Sequence, residues 1–226
     1  MNIISEAMKY AELGYRVLPL KPGQKVPAVR LDHASTDSED VINMFARAGD
    51  GCGVGIELTD MAVLNIAQEA DQAAVARLLS QISSEAGSPP PLAFTPRGVH
   101  LFFGAGNLQP DPITRRIPNC AGEILTGARQ YVVAPPTIIS GARYAFGPGG
   151  LPPITELPEL PRFLLELAEP IDSPDTRWGL PAHKAAEQIL RTRGRVETIK
   201  LAANLRWLLS ETGRHTEGGG EADFPF

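Results

Sequence analysis

Cysteine is nearly missing from the 226 residues: Cys52 and Cys120 stand far apart, with no Cys or His close by. That excludes a disulfide framework and a zinc knuckle, both of which need sulfur or imidazole ligands at short spacing. Long apolar runs are missing too, and none approaches the ~20 residues of a membrane-spanning helix. The opening Met1-Asn2-Ile3-Ile4-Ser5-Glu6 lacks the basic-then-apolar layout of a signal peptide, so a reducing, cytoplasmic setting and no membrane partner are expected. A surplus of positive charge is absent as well. With 21 Lys+Arg against 26 Asp+Glu the formal net charge is -5, unlike that of a dedicated nucleic-acid binder. One basic cleft on an acidic body remains compatible with that sum, because the local field decides binding. No Gly-x-x-x-x-Gly-Lys-[Ser/Thr] stretch occurs, which excludes a P-loop helicase motor.

What is present is 226 residues, enough for one sizeable core plus an appendage or for two small domains, and a 43% hydrophobic content that fits a globular chain. Near-helical spacing of Ile3, Ile4, Ala7, Met8, Ala11 and Leu13 predicts a helix over 3–14, stopped by Gly14. A strand follows over 15–20, then the loop Lys21-Pro22-Gly23-Gln24-Lys25-Val26-Pro27, which is either a solvated turn or an anion contact. Ser38 is the expected N-cap of a helix carrying Val41, Ile42, Met44 and Phe45. Two apolar runs, Val54 to Leu58 and Met61 to Ala67, are expected to form a hairpin about Thr59-Asp60. A helix over 70–82 gives way at Ser88-Pro89-Pro90-Pro91.

The central stretch is Phe94-Thr95-Pro96-Arg97-Gly98-Val99-His100-Leu101-Phe102-Phe103. Pro96 and Gly98 make a tight turn with Arg97 at its tip, and His100 lies on the strand behind it. Such a pair can grip a polyphosphate, or it can be the polar edge of an ordinary hairpin. Residues 104–120 read as irregular, with Arg115 and Arg116 paired in sequence. Short strands are expected at 123–125, 130–134 and 141–146, and a helix to about Leu167. Residues 169–181 read as a linker, 182–212 as a helical tail and 213–226 as disordered. The tail carries Arg191, Arg193, Arg195 and Arg206, either as a basic face for DNA or a partner or as solvated helices packed on the main domain.

Taken in order, these pieces resemble the bifunctional DNA primase/polymerase domain of the archaeo-eukaryotic primase superfamily, over roughly residues 5–168. Gly14 to Leu20 followed by Lys25-Val26-Pro27, then His33-Ala34-Ser35-Thr36-Asp37, Gly53-Val54-Gly55-Ile56, Thr95 to Phe103, and Val132-Val133-Ala134-Pro135-Pro136-Thr137 are similar to successive motifs of that family. The resemblance implies an α+β fold: a primase-polymerase palm, with an RRM-like mixed sheet and helices, a small N-terminal αβ unit and a helical C-terminal tail. It implies template-directed joining of nucleotides with Mg²⁺ or Mn²⁺, which prefer carboxylate oxygen. The implied partners are a nucleoside triphosphate, a DNA template or primer end, and a helicase or other replication protein. Lys25, Thr95, Arg97 and His100 match the nucleotide-contacting positions, and Glu123 matches the third metal carboxylate.

The sequence departs from the family at the first metal motif. That motif is a pair of acids at i and i+2, which period-two geometry points at the same ions. Here Val63-Leu64-Asn65-Ile66-Ala67-Gln68 puts Asn65 and Ala67 in those places. Glu69 is the nearest substitute ligand if the strand continues, Asp71 lies beyond it, and Glu57 and Asp60 precede it. Each of these acids is alternatively a solvated turn or helix-start residue. Three functions stay open: a nucleotide- or DNA-binding domain weak or silent in catalysis, an active enzyme using Glu123 and a displaced acid, and a non-enzymatic interaction module.

Overall fold

The computed structural model describes residues 2–170 except 69, 107, 109–112 and 118–121. The linker from residue 171, the helical tail, the terminal stretch, Glu69 and Cys120 therefore lie outside the described residues. Helix α1 (Ile3–Glu12) is capped by Asn2, whose side chain accepts from the Ile4 amide at 3.0 Å. Strand β1 (Val17–Leu20) is buried at all four positions. Helix α2 (Ser38–Ala48) is capped by Asp37, not by the expected Ser38. The Asp37 carboxylate accepts from both the Glu39 and Asp40 amides, and its negative charge suits the positive end of the helix better than a hydroxyl does.

The expected hairpin at Thr59-Asp60 does not form. Residues 53–67 make one long strand, β2 (Gly53–Ala67). A two-residue reversal needs positive φ in the turn, usually from Gly or Asn, and β-branched Thr59 resists it. The chain instead bulges. The register against β6 (Gly122–Ala134) shifts between Glu57 and Leu58 and again between Leu58 and Ala62. Glu57 pins this irregularity. Only 5% exposed, its carboxylate accepts from the Thr59 amide at 3.1 Å, the Thr59 hydroxyl at 2.7 Å and the Arg129 amide at 3.2 Å. The Arg16 guanidinium approaches to 3.5 Å.

Helix α3 (Gln72–Ala86) begins at the Asp71 cap and ends at Gly87 in the left-handed conformation, just ahead of the prolines. Strands β3 (Leu92–Thr95) and β4 (Gly98–Gly104) form the hairpin around Pro96-Arg97. Residues 113–117, read as irregular, form β5 (Ile113–Ile117), paired with β6. The two short strands read at 123–125 and 130–134 are continuous in β6. Beyond them come β7 (Ile138–Ile139), β8 (Ala142–Arg143) and β9 (Ala145–Phe146), the last two separated by buried Tyr144. Helix α4 (Arg162–Leu167) precedes β10 (Glu169–Pro170), which extends the sheet two residues into the stretch read as a linker.

The α+β architecture follows. The main sheet runs β10-β5-β6-β2-β4-β3-β9, with β1 pairing the first half of β2. Every ladder between these strands is antiparallel, where a mixed sheet was expected. One face buries Leu64, Ile66, Leu101 and Ile124 against Leu78 and Ile82 of α3 and Leu164 of α4. The other face is split. Near the bulge, Val63, Phe102 and Leu125 join Ala7, Ala11, Val41 and Phe45 of the N-terminal unit in a second core. Each fully buried aliphatic side chain contributes about 1.5–3 kcal/mol of transfer free energy. Toward the end of β2 on that same face stand Asn65 and Ala67, both half-buried. No helix among the described residues is long and apolar enough to cross a membrane.

Candidate nucleotide site

Three neighbouring strands bring the sequence candidates together. Asn65 on β2 pairs with His100 on β4 and, across its other edge, with Glu123 on β6. Directly paired residues project from the same face, so Glu123, Asn65 and His100 form one row. On the far side of Glu123 the row continues to Arg116 of β5. Two residues along β2, Ala67 pairs with Gly98. That pairing brings the Arg97 turn to the end of the row.

The turn is held on three sides. The Thr95 hydroxyl accepts from the Arg97 amide at 3.2 Å, and the Gln68 amide donates to the Arg97 carbonyl at 2.7 Å. Gly98 lies so close to β2 that a Cβ there would stand 1.9 Å from the Ile66 carbonyl oxygen, and its φ of +150° disfavours any side chain. Thr95, matched to a nucleotide contact in sequence, is 6% exposed and spends its hydroxyl on this turn.

Lys25 belongs to the same neighbourhood although 75 residues separate it from His100. Its loop is anchored: the Tyr131 hydroxyl donates to the Lys25 carbonyl, and the Lys21 amide donates to the Val26 carbonyl at 2.8 Å. Burial, and then the positive charge of Arg97, push the Lys25 ammonium down to about 8. Burial, and then the charge of Lys25, push His100 down to about 3, so its imidazole is neutral at physiological pH. His100 is 9% exposed, and its Nδ1 has no hydrogen-bond partner. The ring sits against Phe102 and Tyr144 at 6.3 and 6.5 Å between centroids. Arg97 also acts on Tyr144, whose hydroxyl burial drives strongly upward. Lys25 and Arg97 thus form an electropositive pair beside the neutral His100 ring, and neither cation has a carboxylate ion-pair partner among the described residues. A half-buried ammonium beside a like charge and without counter-charge is costly, and a bound anion offsets that cost.

The acidic side is poor by comparison. The row offers one carboxylate, Glu123, and one neutral amide oxygen, Asn65, while the Ala67–Gly98 pair offers no heteroatom in either side chain. Glu57 is consumed by the bulge. It lies eight residues up the strand from Asn65, on the order of 20 Å away. Asp71 caps α3, and Asp60 is exposed at the bulge. Among the described residues no group of three or more His, Cys, Asp or Glu side chains is placed to hold a metal ion. These donors do not fit a pair of dications, which need several oxygen ligands each.

Sequence reasoning missed Arg116 and the Tyr131 anchor. For Arg116 a signal existed: Ile113 and Ile117 bracket an alternation in which Thr114 and Arg116 share one face. It was hidden by the prolines on either side.

An antiparallel sheet with helices behind it, a capped basic turn on its open face and an N-terminal αβ unit carrying a lysine loop define a palm-type, nucleotide-handling domain. The chain belongs to the family described as bifunctional DNA primase/polymerase, N-terminal, whose model matches residues 7–162. Membership implies binding of nucleotide and DNA, and the family typically uses divalent metals. No curated protein matches the chain.

Proposed function

We propose that this domain serves a replication protein by binding a nucleoside triphosphate, and with it a DNA template or primer end, while its own capacity for nucleotidyl transfer is weak or lost. The observation that carries the reading is the contrast at one sheet face: the cations Lys25 and Arg97 with the neutral imidazole of His100, beside a row in which Asn65 and Ala67 occupy the acidic positions. Lys25 and Arg97 meet the phosphates, His100 faces them as a neutral hydrogen-bonding group, and Thr95 positions Arg97. Glu123 is the remaining acid. A helicase or other replication factor supplies whatever motor the process needs. Mg²⁺ or Mn²⁺ would enter catalysis only with more carboxylates than the described residues provide.

The test is primer extension on a DNA template with Mg²⁺ or Mn²⁺, comparing the natural chain with Asn65→Asp/Ala67→Asp, alongside nucleotide binding by calorimetry. The expected result is nucleotide binding by both, with extension by the double variant alone. Extension by the natural chain would overturn the loss of catalysis and make Glu69 the first residue to replace. No binding by either would leave the fold as a scaffold for protein contacts.

A further inference from the structure

The sheet row ends on an arginine. Arg116 on β5 is directly opposite Glu123 on β6, which is opposite Asn65, so a guanidinium stands next to the sole carboxylate of the row. Arg116 is exposed, and its side chain makes no ion pair or hydrogen bond among the described residues, Glu123 included. At the other end, Lys25 and Arg97 also lack a carboxylate partner among the described residues. Among the described residues, this face carries formally three cations (Lys25, Arg97, Arg116) against one anion (Glu123), a net charge of +2 with His100 neutral. A face of that sign repels dications and attracts the most highly charged form of a polyphosphate. The unpartnered Nδ1 of nearly buried His100 adds an unsatisfied polar atom to the same face, the kind of group a ligand's hydrogen bond would satisfy.

Resting on the nucleotide reading above, we infer that the site takes its nucleoside polyphosphate as the metal-free anion, with the Arg116 guanidinium supplying positive charge beside Glu123. From β4 to β5 is three strand spacings, about 14 Å. An arginine extended from one end and the Arg97 turn at the other bracket a polyphosphate chain lying across Asn65 and Ala67. The small, uncharged side chains at those two positions leave the phosphates unopposed. Arginine also suits the task, because its planar fork matches two phosphate oxygens at once and does not lose its proton. The substrate class is therefore a free nucleoside triphosphate or diphosphate. A dication bound to that nucleotide cancels part of the charge the site reads, so metal weakens the complex.

The experiment titrates ATP, followed by calorimetry, into the full chain in two buffers of equal ionic strength, one with EDTA and one with millimolar Mg²⁺. The expected result is tighter binding in EDTA than in Mg²⁺, and equal or tighter binding in Mg²⁺ overturns the inference. Arg116→Ala is expected to weaken EDTA binding by about tenfold with an unchanged melting temperature, and Arg116→Lys to recover part of the loss. Asn65→Asp/Ala67→Asp should reverse the order of the two buffers. Binding by the natural chain that requires Mg²⁺, or that ignores Arg116→Ala, overturns this inference and leaves the nucleotide reading standing. Absence of binding in both buffers removes the nucleotide reading itself, and this inference with it.

Discussion

Lys25 shows how a single side chain can be both costly and useful. Its ammonium is half-buried beside another cation and is held down to about 8, far below the usual value for lysine near 10.4. Over pH 8 to 10.5 the unfolded chain holds this proton and the folded chain does not, so the folded state is disfavoured by the burial of Lys25 most strongly below pH 8. A phosphate group reverses the balance, because a negative neighbour restores the charged form. Nucleotide affinity should therefore fall by about tenfold as pH rises from 7 to 9.5, with proton uptake on binding at the upper end. Calorimetry in buffers of different ionisation enthalpy measures that uptake directly. Lys25→Gln should bind weakly and with a flat profile over the same range. Uptake that survives in Lys25→Gln would assign the proton to another group.

At the scale of elements, the β3–β4 turn is the most exacting piece. Its geometry fixes Arg97 through Thr95, Gln68 and the approach of Gly98 to Ile66. Gly98→Ala should destabilise the domain by about 1–3 kcal/mol through overpacking and backbone strain. It should also weaken nucleotide binding more than Arg97→Ala does alone, since it displaces the β4 backbone that carries His100. Urea denaturation and nucleotide titration of the two variants check this. The turn was legible in the sequence because Pro-Arg-Gly has few alternatives between two apolar runs. The β2 bulge was not: Leu58-Thr59-Asp60-Met61 looks like a reversal unless one knows that Glu57 will be buried there to accept from Thr59 and Arg129. That is a tertiary fact. Likewise β5 earns its strand character from pairing with β6, against the local bias of its flanking prolines.

For the whole molecule, the distribution of charge and burial sets its response to acid. His100 is kept neutral down to about pH 3 in the fold but titrates near 6.5 when exposed. Between those values the unfolded chain binds a proton that the folded chain does not, so stability falls as pH drops from 6.5 toward 3. Denaturation midpoints at pH 7 and pH 4.5 should differ less in His100→Gln than in the natural chain. The exposed Asp32, held low by Arg30, acts in the same direction but is screened by solvent and adds little. The order of the motifs along the chain made the overall architecture readable. The way the site straddles four strands emerged only from their register.

That register has a dynamic side. Residues 53–56 of β2 pair with β1 of the N-terminal unit, and residues 61–67 of the same strand pair with β4 and carry the row through Asn65. One continuous backbone thus belongs to both halves. Protection against amide hydrogen exchange should reach a common ceiling at Val54 and at Leu64, as in a single cooperative unit, and both should yield together when either half opens.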